Sequence, residues 1–290
     1  FHQIECVGIY RGYEGMIDGD FKALDARGVN HIINKGGTFL KSARSDRFRT
    51  KEGRKEAYDQ LLKHAVDALV LIGGDGTFTG GMIFNEEYNF PVVGIPGTID
   101  NDISSIEYTI GFFTALDTAI DAIDKLRDTS FSHQRCTVVE VMGRDCGDLS
   151  IYSGIACGAE IVITKETGYN EEEVLKQVQH AQEMGKRHLI VVVAENITNV
   201  FDLAKAIEKS SGYQARASVL GYIQRGGTPS SFDRILASKM GVHAVELLKA
   251  GKNGLAVFTQ SLEIGECPIR EALSIRDETT DLYDYLSKLN

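Results

Sequence analysis

Asp75 lies in a glycine turn, Gly73-Gly74-Asp75-Gly76-Thr77, directly after the apolar run Ala68–Ile72. Glycines there let backbone N–H groups approach a bulky anion, and a strand-end carboxylate suits Mg2+ carried on a polyphosphate. The same residues equally suit a plain strand-to-helix turn. A second turn, Pro96-Gly97-Thr98-Ile99-Asp100-Asn101-Asp102, follows Val92–Ile95. If its backbone is extended, Thr98, Asp100 and Asp102 share one side, a set suited to a general base and metal-linked water. The competing reading is an Asx-rich capping loop. Met142-Gly143-Arg144-Asp145 presents an arginine that either stabilises phosphoryl charge or forms a surface salt bridge. Glu195 ends the run Ile190–Ala194, where an acid binds sugar hydroxyls or caps the next segment. Arg216 and the turn Gln224-Arg225-Gly226-Gly227 have the types to hold a phosphate at a helix entrance. Arg44, Arg47, Arg49 and Arg54 make either a phosphate patch or a solvated basic loop. The histidines show no metal-binding spacing and read as surface or packing residues.

These residues need strand ends to present them. Strand-like runs fall at Glu5–Tyr10, Ala68–Ile72, Pro91–Ile95, Thr137–Met142, Glu160–Thr164 and His188–Ala194. Most are rich in Val and Ile without polar alternation, as in strands covered on both faces. Between them, Ala115–Asp128 repeats apolar residues at helical spacing. Glu171–Met184 opens after Asn170, a favoured N-cap, and stops before Gly185; a third helix spans about Ser231 to Ala250. The alternation predicts an α/β fold with parallel sheets, which bind ligands beyond the carboxyl ends of their strands.

The 290 residues can bury a large core in one or two domains. Hydrophobic content of 43% and charged content of 25% argue against disorder. A net charge of −10 argues against bulk nucleic-acid binding, and no apolar run approaches the ~20 residues that span a bilayer. Five cysteines without a CxxC pair suggest reduced thiols and a cytoplasmic setting.

GGDG, PGTIDND, MGR, a strand-end Glu and QRGG, in that order, resemble the bacterial-type ATP-dependent 6-phosphofructokinases. GTFLKSAR, YTIGFFTALDTA, RDTSFSHQR and VMGRDCGD are similar to that family too. GGDGT alone also occurs in NAD kinases and lipid kinases, which do not carry the other motifs. The resemblance implies two Rossmann-like three-layer domains with mainly parallel sheets: residues 1–111 plus 224–274 for ATP, and 112–223 plus 275–290 for the sugar phosphate. It implies a glycolytic homotetramer with sites between subunits, MgATP as co-substrate and fructose 6-phosphate as acceptor. Asp100 would be the base, Thr98 and Arg144 would stabilise the transferring group, Asp75 would hold Mg2+, and Asp102 would order the metal's waters. ATP would meet Arg44, Gly74, Asp75, Gly76 and Thr77. The sugar phosphate would meet Thr98, Ile99, Asp100, Met142, Gly143, Arg144, Glu195, Tyr222 and Arg225, with Arg135 and Arg216 reaching in from a neighbouring subunit. An ADP or phosphoenolpyruvate effector would use Arg127, Gly158, Ala159, Glu160, Lys186, Arg187 and His188.

Three departures qualify the resemblance. The family's first strand and GGDxPGxN loop precede the residues present here, so Glu5–Tyr10 is expected to lack a sheet partner and the chain to be poorly active and marginally soluble. Tyr222 stands where the family has a histidine on the 6-phosphate. Ala26 and Met184 stand where basic effector ligands are usual. A non-catalytic sugar-phosphate-binding homologue is the alternative. Glycine at 76 and 97, where pyrophosphate-using relatives carry Asp and Lys, implies ATP as the donor.

Overall fold

The computed structural model describes residues 4–103, 106–274 and 280–289. In chain order the elements are β1 (Val7–Ile9), α1 (Gly12–Asp18), β2 (Phe21–Ala23), α2 (Asp46–Arg49), α3 (Lys51–Lys63), β3 (Leu69–Gly73), α4 (Asp75–Tyr88) and β4 (Val92–Pro96). Next come α5 (Phe112–His133), β5 (Arg135–Val141), α6 (Asp148–Cys157), β6 (Ile161–Ile163), α7 (Glu171–Glu183), β7 (Leu189–Ala194), α8 (Val200–Ser211) and β8 (Gln214–Val219). A 3-10 turn, Gly221–Arg225, leads to α9 (Ser231–Lys249), β9 (Leu255–Gln260), β10 (Glu263–Pro268), α10 (Ile269–Ala272) and α11 (Thr280–Leu289).

The chain forms two compact units. The first comprises Phe1–Gly97, Ile103–Tyr108 and Ser231–Ile275; the second comprises Thr98–Asp102, Thr109–Ser230 and Arg276–Asn290. Residues 98–102, 109–111 and 224–230 therefore group with the second unit, not with the first as the sequence-derived boundaries had them. Side-chain bonds within the second unit account for this: Asn101 to Asp148, Gln224 to the Met142 amide, and Thr114 to the Ser230 amide.

In the first unit the sheet order is β10-β9-β4-β3, with β3, β4 and β9 parallel and β10 antiparallel to β9. All five residues of β4 are buried, as its unbroken apolar sequence requires. Phe78, Phe84 and Leu61 fill the core beside it. Tyr13 stacks on Phe48 with ring centroids 3.9 Å apart. β1 does not join this sheet; it pairs antiparallel with β2, so the expectation of a partnerless Glu5–Tyr10 strand at the sheet is corrected. The strand at that edge is β3, where Ile72 is 63% exposed.

The second unit has four parallel strands in the order β6-β7-β5-β8. Every residue of β7 is buried. Val174 and Val178 of α7 and Leu203 and Ile207 of α8 share its core cluster. Asn170 caps α7 by accepting from the Glu172 and Glu173 amides, and the three glutamates of the first turn favour the positive end of the helix dipole.

Helix α5 runs further than the Ala115–Asp128 reading, because Gly111 and Gln134, both left-handed, set its ends. β2, β8, β9 and β10 were not expected. β8, Gln-Ala-Arg-Ala-Ser-Val, alternates polar and apolar residues, but two of its three apolar residues are alanine, which has little strand preference. The β9–β10 hairpin turns on Ser261 and Leu262 at φ 51° and 67°, a primed turn without the Asn-Gly pair that usually betrays one.

Candidate functional site

The first unit holds the Gly73–Thr77 turn. β3 and β4 are paired through Gly73 and Pro96, so both glycine turns leave the same end of the sheet, and the Gly97 amide donates to Gly73 O at 3.0 Å. Helix α4 starts at Asp75 behind Gly74, whose place no side-chain cap occupies. A helix start of this kind directs backbone donors and the positive dipole end at an anion. A Cβ on Gly76 would meet nothing within 4 Å, whereas one on Gly73 would lie 2.3 Å from Thr77 Oγ1 and 2.7 Å from Thr77 Cβ. Glycine at 73 is thus required by close packing, and at 76 it leaves room. Tyr13 Oη donates to Thr77 O and steadies the turn. Among the described residues no group of three or more His, Cys, Asp or Glu forms a metal cage. Asp75 alone fits a cation that takes its other ligands from phosphates and water.

The basic cluster in this unit divides. Arg54 is 8% exposed and makes a two-pronged pair with Glu87 at 2.6 and 2.7 Å. Arg47 bonds Glu14, Asp18 and Glu56, and Arg49 lies 3.9 Å from Asp46. Carboxylates therefore take up three members of the supposed phosphate patch. Arg44 is exposed outside any helix or strand.

The second unit gathers the remaining chemistry. Met142–Arg144 follow β5, Glu195 follows β7 and Gln224 and Arg225 follow β8, so adjacent parallel strands present them at one sheet end. Gly143 and Arg144 take φ 156° and 56°, and Glu195 Oε1 accepts from both of their amides at 3.1 and 2.6 Å. Glu195 thus caps the Met-Gly-Arg turn. Gln224, 1% exposed, accepts from the Met142 amide at 2.9 Å. Arg144 Nη1 donates to Asp102 Oδ2 at 3.1 Å.

The Thr98–Asp102 loop is tied at each step. Thr98 Oγ1 accepts from the Asp100 amide at 3.2 Å, and Thr109 Oγ1 donates to Thr98 O at 2.7 Å. Buried Asn101 accepts from the Thr109 amide and donates to Asp148. Asp100 Oδ1 is buried without a hydrogen-bond partner among the described residues. Burial, then the nearby charges of Asp102 and Glu195, push the Asp100 carboxyl up to about 6, against the pull of Arg225 and Arg144. A carboxylate so poised accepts a proton near neutral pH.

Residues 1–248 match the family model for phosphofructokinase. The ATP-dependent 6-phosphofructokinase of Haemophilus influenzae strain PittEE is 49% identical over 271 residues, which is 93% of this chain and 84% of that one. That of Photobacterium profundum is also 49% identical, over 99% of this chain and 90% of its own. The chain belongs to the phosphofructokinase family. A solved phosphofructokinase from Saccharomyces cerevisiae superposes with a TM-score of 0.89 at 30% identity, covering 98% of this chain and 43% of the longer yeast chain. The α/β fold with parallel sheets that the motifs implied is that of the phosphofructokinases.

Some expected residues of this phosphofructokinase lie elsewhere. Arg135 starts β5, seven residues before Met142 and so about 20 Å along the strand. It bonds Gln214, while Arg216 donates to Ala215 O. Neither joins the Asp100 loop within this chain. Half-buried Ile99 packs toward Gly111. Tyr222 is 79% exposed, and its ring faces the Arg225 guanidinium at 5.1 Å. Arg127 donates to Cys157 O and Gly158 O, closing the end of α6 beside buried Ala159. Lys186 lies 3.4 Å from Glu160, which also accepts from the Ile190 amide. His188, next to exposed Arg187, meets the Phe131 ring edge-on. The sequence reading missed Asp148 and Thr109. Asp148 shows as a helix-opening acid only once α6 is known, and Thr109 carries no local signal.

Proposed function

We infer that the chain transfers the γ-phosphoryl group of ATP to the 1-hydroxyl of fructose 6-phosphate. Asp100 carries this reading: a half-buried carboxylate, raised to about 6 and bound into a loop beside an arginine. The 1-hydroxyl gives its proton to Asp100 as its oxygen bonds to the γ-phosphorus. The bond from that phosphorus to the bridging oxygen breaks, and ADP leaves with the electron pair. Thr98 and Arg144 stabilise charge on the transferring group, which is the main task in phosphoryl transfer. Arg144 then exchanges Asp102 for phosphoryl oxygens.

Gly74, Asp75, Gly76 and Thr77, with Arg44, receive the ATP phosphates. Asp75 would hold Mg2+, which when bound neutralises phosphate charge. Met142, Gly143, Glu195 and Arg225 shape the sugar-phosphate side, with Glu195 Oε2 the oxygen offered to sugar hydroxyls, since Oε1 caps the turn. The start of β5 at Arg135, and the place of Arg216 on β8 opposite Thr137, both well before the Met142 turn, support these two arginines serving another copy in a homotetramer. Lys186, Arg187 and Arg127, with His188 beside them, form a regulatory anion site for ADP or phosphoenolpyruvate. We place the enzyme in the cytoplasm, where its five cysteines, all free thiols, would stay reduced. The experiment is a coupled assay of ADP release with ATP alone and with ATP plus fructose 6-phosphate. ADP release that ignores the sugar would overturn the reading.

A further inference from the structure

Asn101 stands between the two acids of the catalytic loop and points away from solvent, at 1% exposure. Its backbone is left-handed, with φ 53°, a conformation that asparagine tolerates better than other side-chain-bearing residues. Both ends of its side chain are engaged. Oδ1 accepts from the Thr109 amide at 2.9 Å, and Nδ2 donates to Asp148 Oδ2 at 2.7 Å. Asp148, 4% exposed, is the first residue of α6, where the helix dipole favours a carboxylate. The residue before it is fixed too: Glu166 Oε1 accepts from the Gly147 amide at 2.9 Å, and Glu166 Oε2 accepts from Tyr283 Oη at 3.1 Å. The Cys146 thiol donates to Asn101 O at 3.7 Å. The peptides on either side of Asn101 carry Asp100 and Asp102. Any rotation of Asn101 out of its left-handed turn swings both acids.

We propose that Asn101 and Asp148 form a positioning pair: their buried amide–carboxylate bond fixes the turn that aims Asp100, without either residue meeting the reacting atoms. The proposal rests on the reading of Asp100 as the base. It gives a function to a buried charged residue that the phosphoryl transfer itself does not use. Misplacement of a base by an ångström costs on the order of 10² in rate, which is ample for one loop bond to matter.

A polarity swap tests it. Asn101→Ala removes both side-chain bonds. The double variant Asn101→Asp with Asp148→Asn exchanges amide and carboxylate; the new carboxylate at 101 still accepts from the Thr109 amide and from the amide at 148. Asn101→Ala is expected to lower kcat by about 10-fold or more, with KM for fructose 6-phosphate changed less than about threefold. Its acid limb should move down from about 6, because a loosened loop admits water to a carboxyl now raised chiefly by burial and then by Asp102 and Glu195. The double variant is expected to recover kcat to within about threefold of the parent and to restore the acid limb. A merely structural role would lower the melting temperature and leave the acid limb in place. Asp100→Asn is run alongside: normal turnover there defeats the base reading itself. If Asp100→Asn is inactive while Asn101→Ala keeps parental kcat, or the double variant does no better than Asn101→Ala, the positioning role is overturned and the base reading stands. Should Asn101→Ala fail to fold, the double variant decides alone: parental kcat and acid limb support the pair, and a tenfold loss overturns it.

Discussion

The Gly73–Thr77 turn and the Thr98–Asp102 loop each follow a parallel strand through glycine, yet they are built in opposite ways. In the turn, Gly76 has open space around it, Gly74 leaves α4 without a side-chain cap, and Asp75 opens the helix. In the loop, Thr98, Asn101 and Asp102 all have side-chain partners, Asp100 is bonded through its amide, and a buried Asp100 oxygen is held back. A polyphosphate is large, and it needs room and many weak donors. A base has one proton to take, so its carboxylate must be fixed where solvent would not choose to put it. Space is the working element in one region and constraint in the other.

The largest test of this contrast is Asp100→Ser. It should lower kcat by ~10² or more while calorimetry finds fructose 6-phosphate binding largely intact. Near-parental turnover would remove the loop's half of the comparison.

Next is pH. With Asp100 at about 6, kcat/KM should fall tenfold per unit well below that pH. Stability runs the other way. The folded-state value lies above the unfolded one of 3.8, so folding favours the protonated acid. That contribution is present below 3.8 and lost as pH rises through about 6. Asp100→Asn should therefore melt higher than the parent at pH 8, and the advantage should vanish near pH 4. An equal gain at both pH values would mean that the carboxyl is not raised.

The turn is tested by a pair of glycine substitutions. Gly73→Ala should cost ~1–3 kcal/mol in stability, because its Cβ would meet Thr77 at 2.3 Å. Gly76→Ala should leave the melting temperature equal or higher, alanine being the better helix former, and still raise KM for ATP several-fold by filling the open space. The same response from both would show that the turn is not a cradle.

The smallest effect concerns Tyr222. Tyr222 stands where the resemblance implies a histidine on the phosphate. Its ring lies against Arg225, an exposed cation–π contact worth ~0.5–1 kcal/mol. Tyr222→Phe should leave KM for fructose 6-phosphate within about twofold, and Tyr222→Leu should raise it by about two- to fivefold. A rise with Phe equal to that with Leu would return the role to the hydroxyl.

The unbroken apolar strands and the glycine and Asx turns after them were legible in the residues, because burial on both faces and positive φ each demand particular side chains. The placement of Asp100, Thr98 and Arg144 on loops could be read for the same reason. What the residues hid was partnership across the chain. Nothing near Asn101 announces Asp148, 47 positions on, and nothing near Glu195 announces that one of its oxygens is spent on the Gly143 and Arg144 amides. Arg47 and Arg54 read equally as anion ligands or as part of a solvated basic loop until their carboxylates appeared from other elements. The strand ends of the β9–β10 hairpin were hidden because Ser-Leu is not a customary turn pair.

The Arg144–Asp102 bond carries one more implication. A lone guanidinium at a loop tip would attract any passing sulfate or nucleotide fragment. Here its charge is already answered at 3.1 Å, so an anion must offer more than charge to displace a carboxylate. The pair works as a filter: inorganic anions gain little by swapping one oxygen for another, while a ligand anchored elsewhere by its own sugar gains the exchange at little cost. Neutralising that aspartate should turn harmless buffer anions into competitive inhibitors.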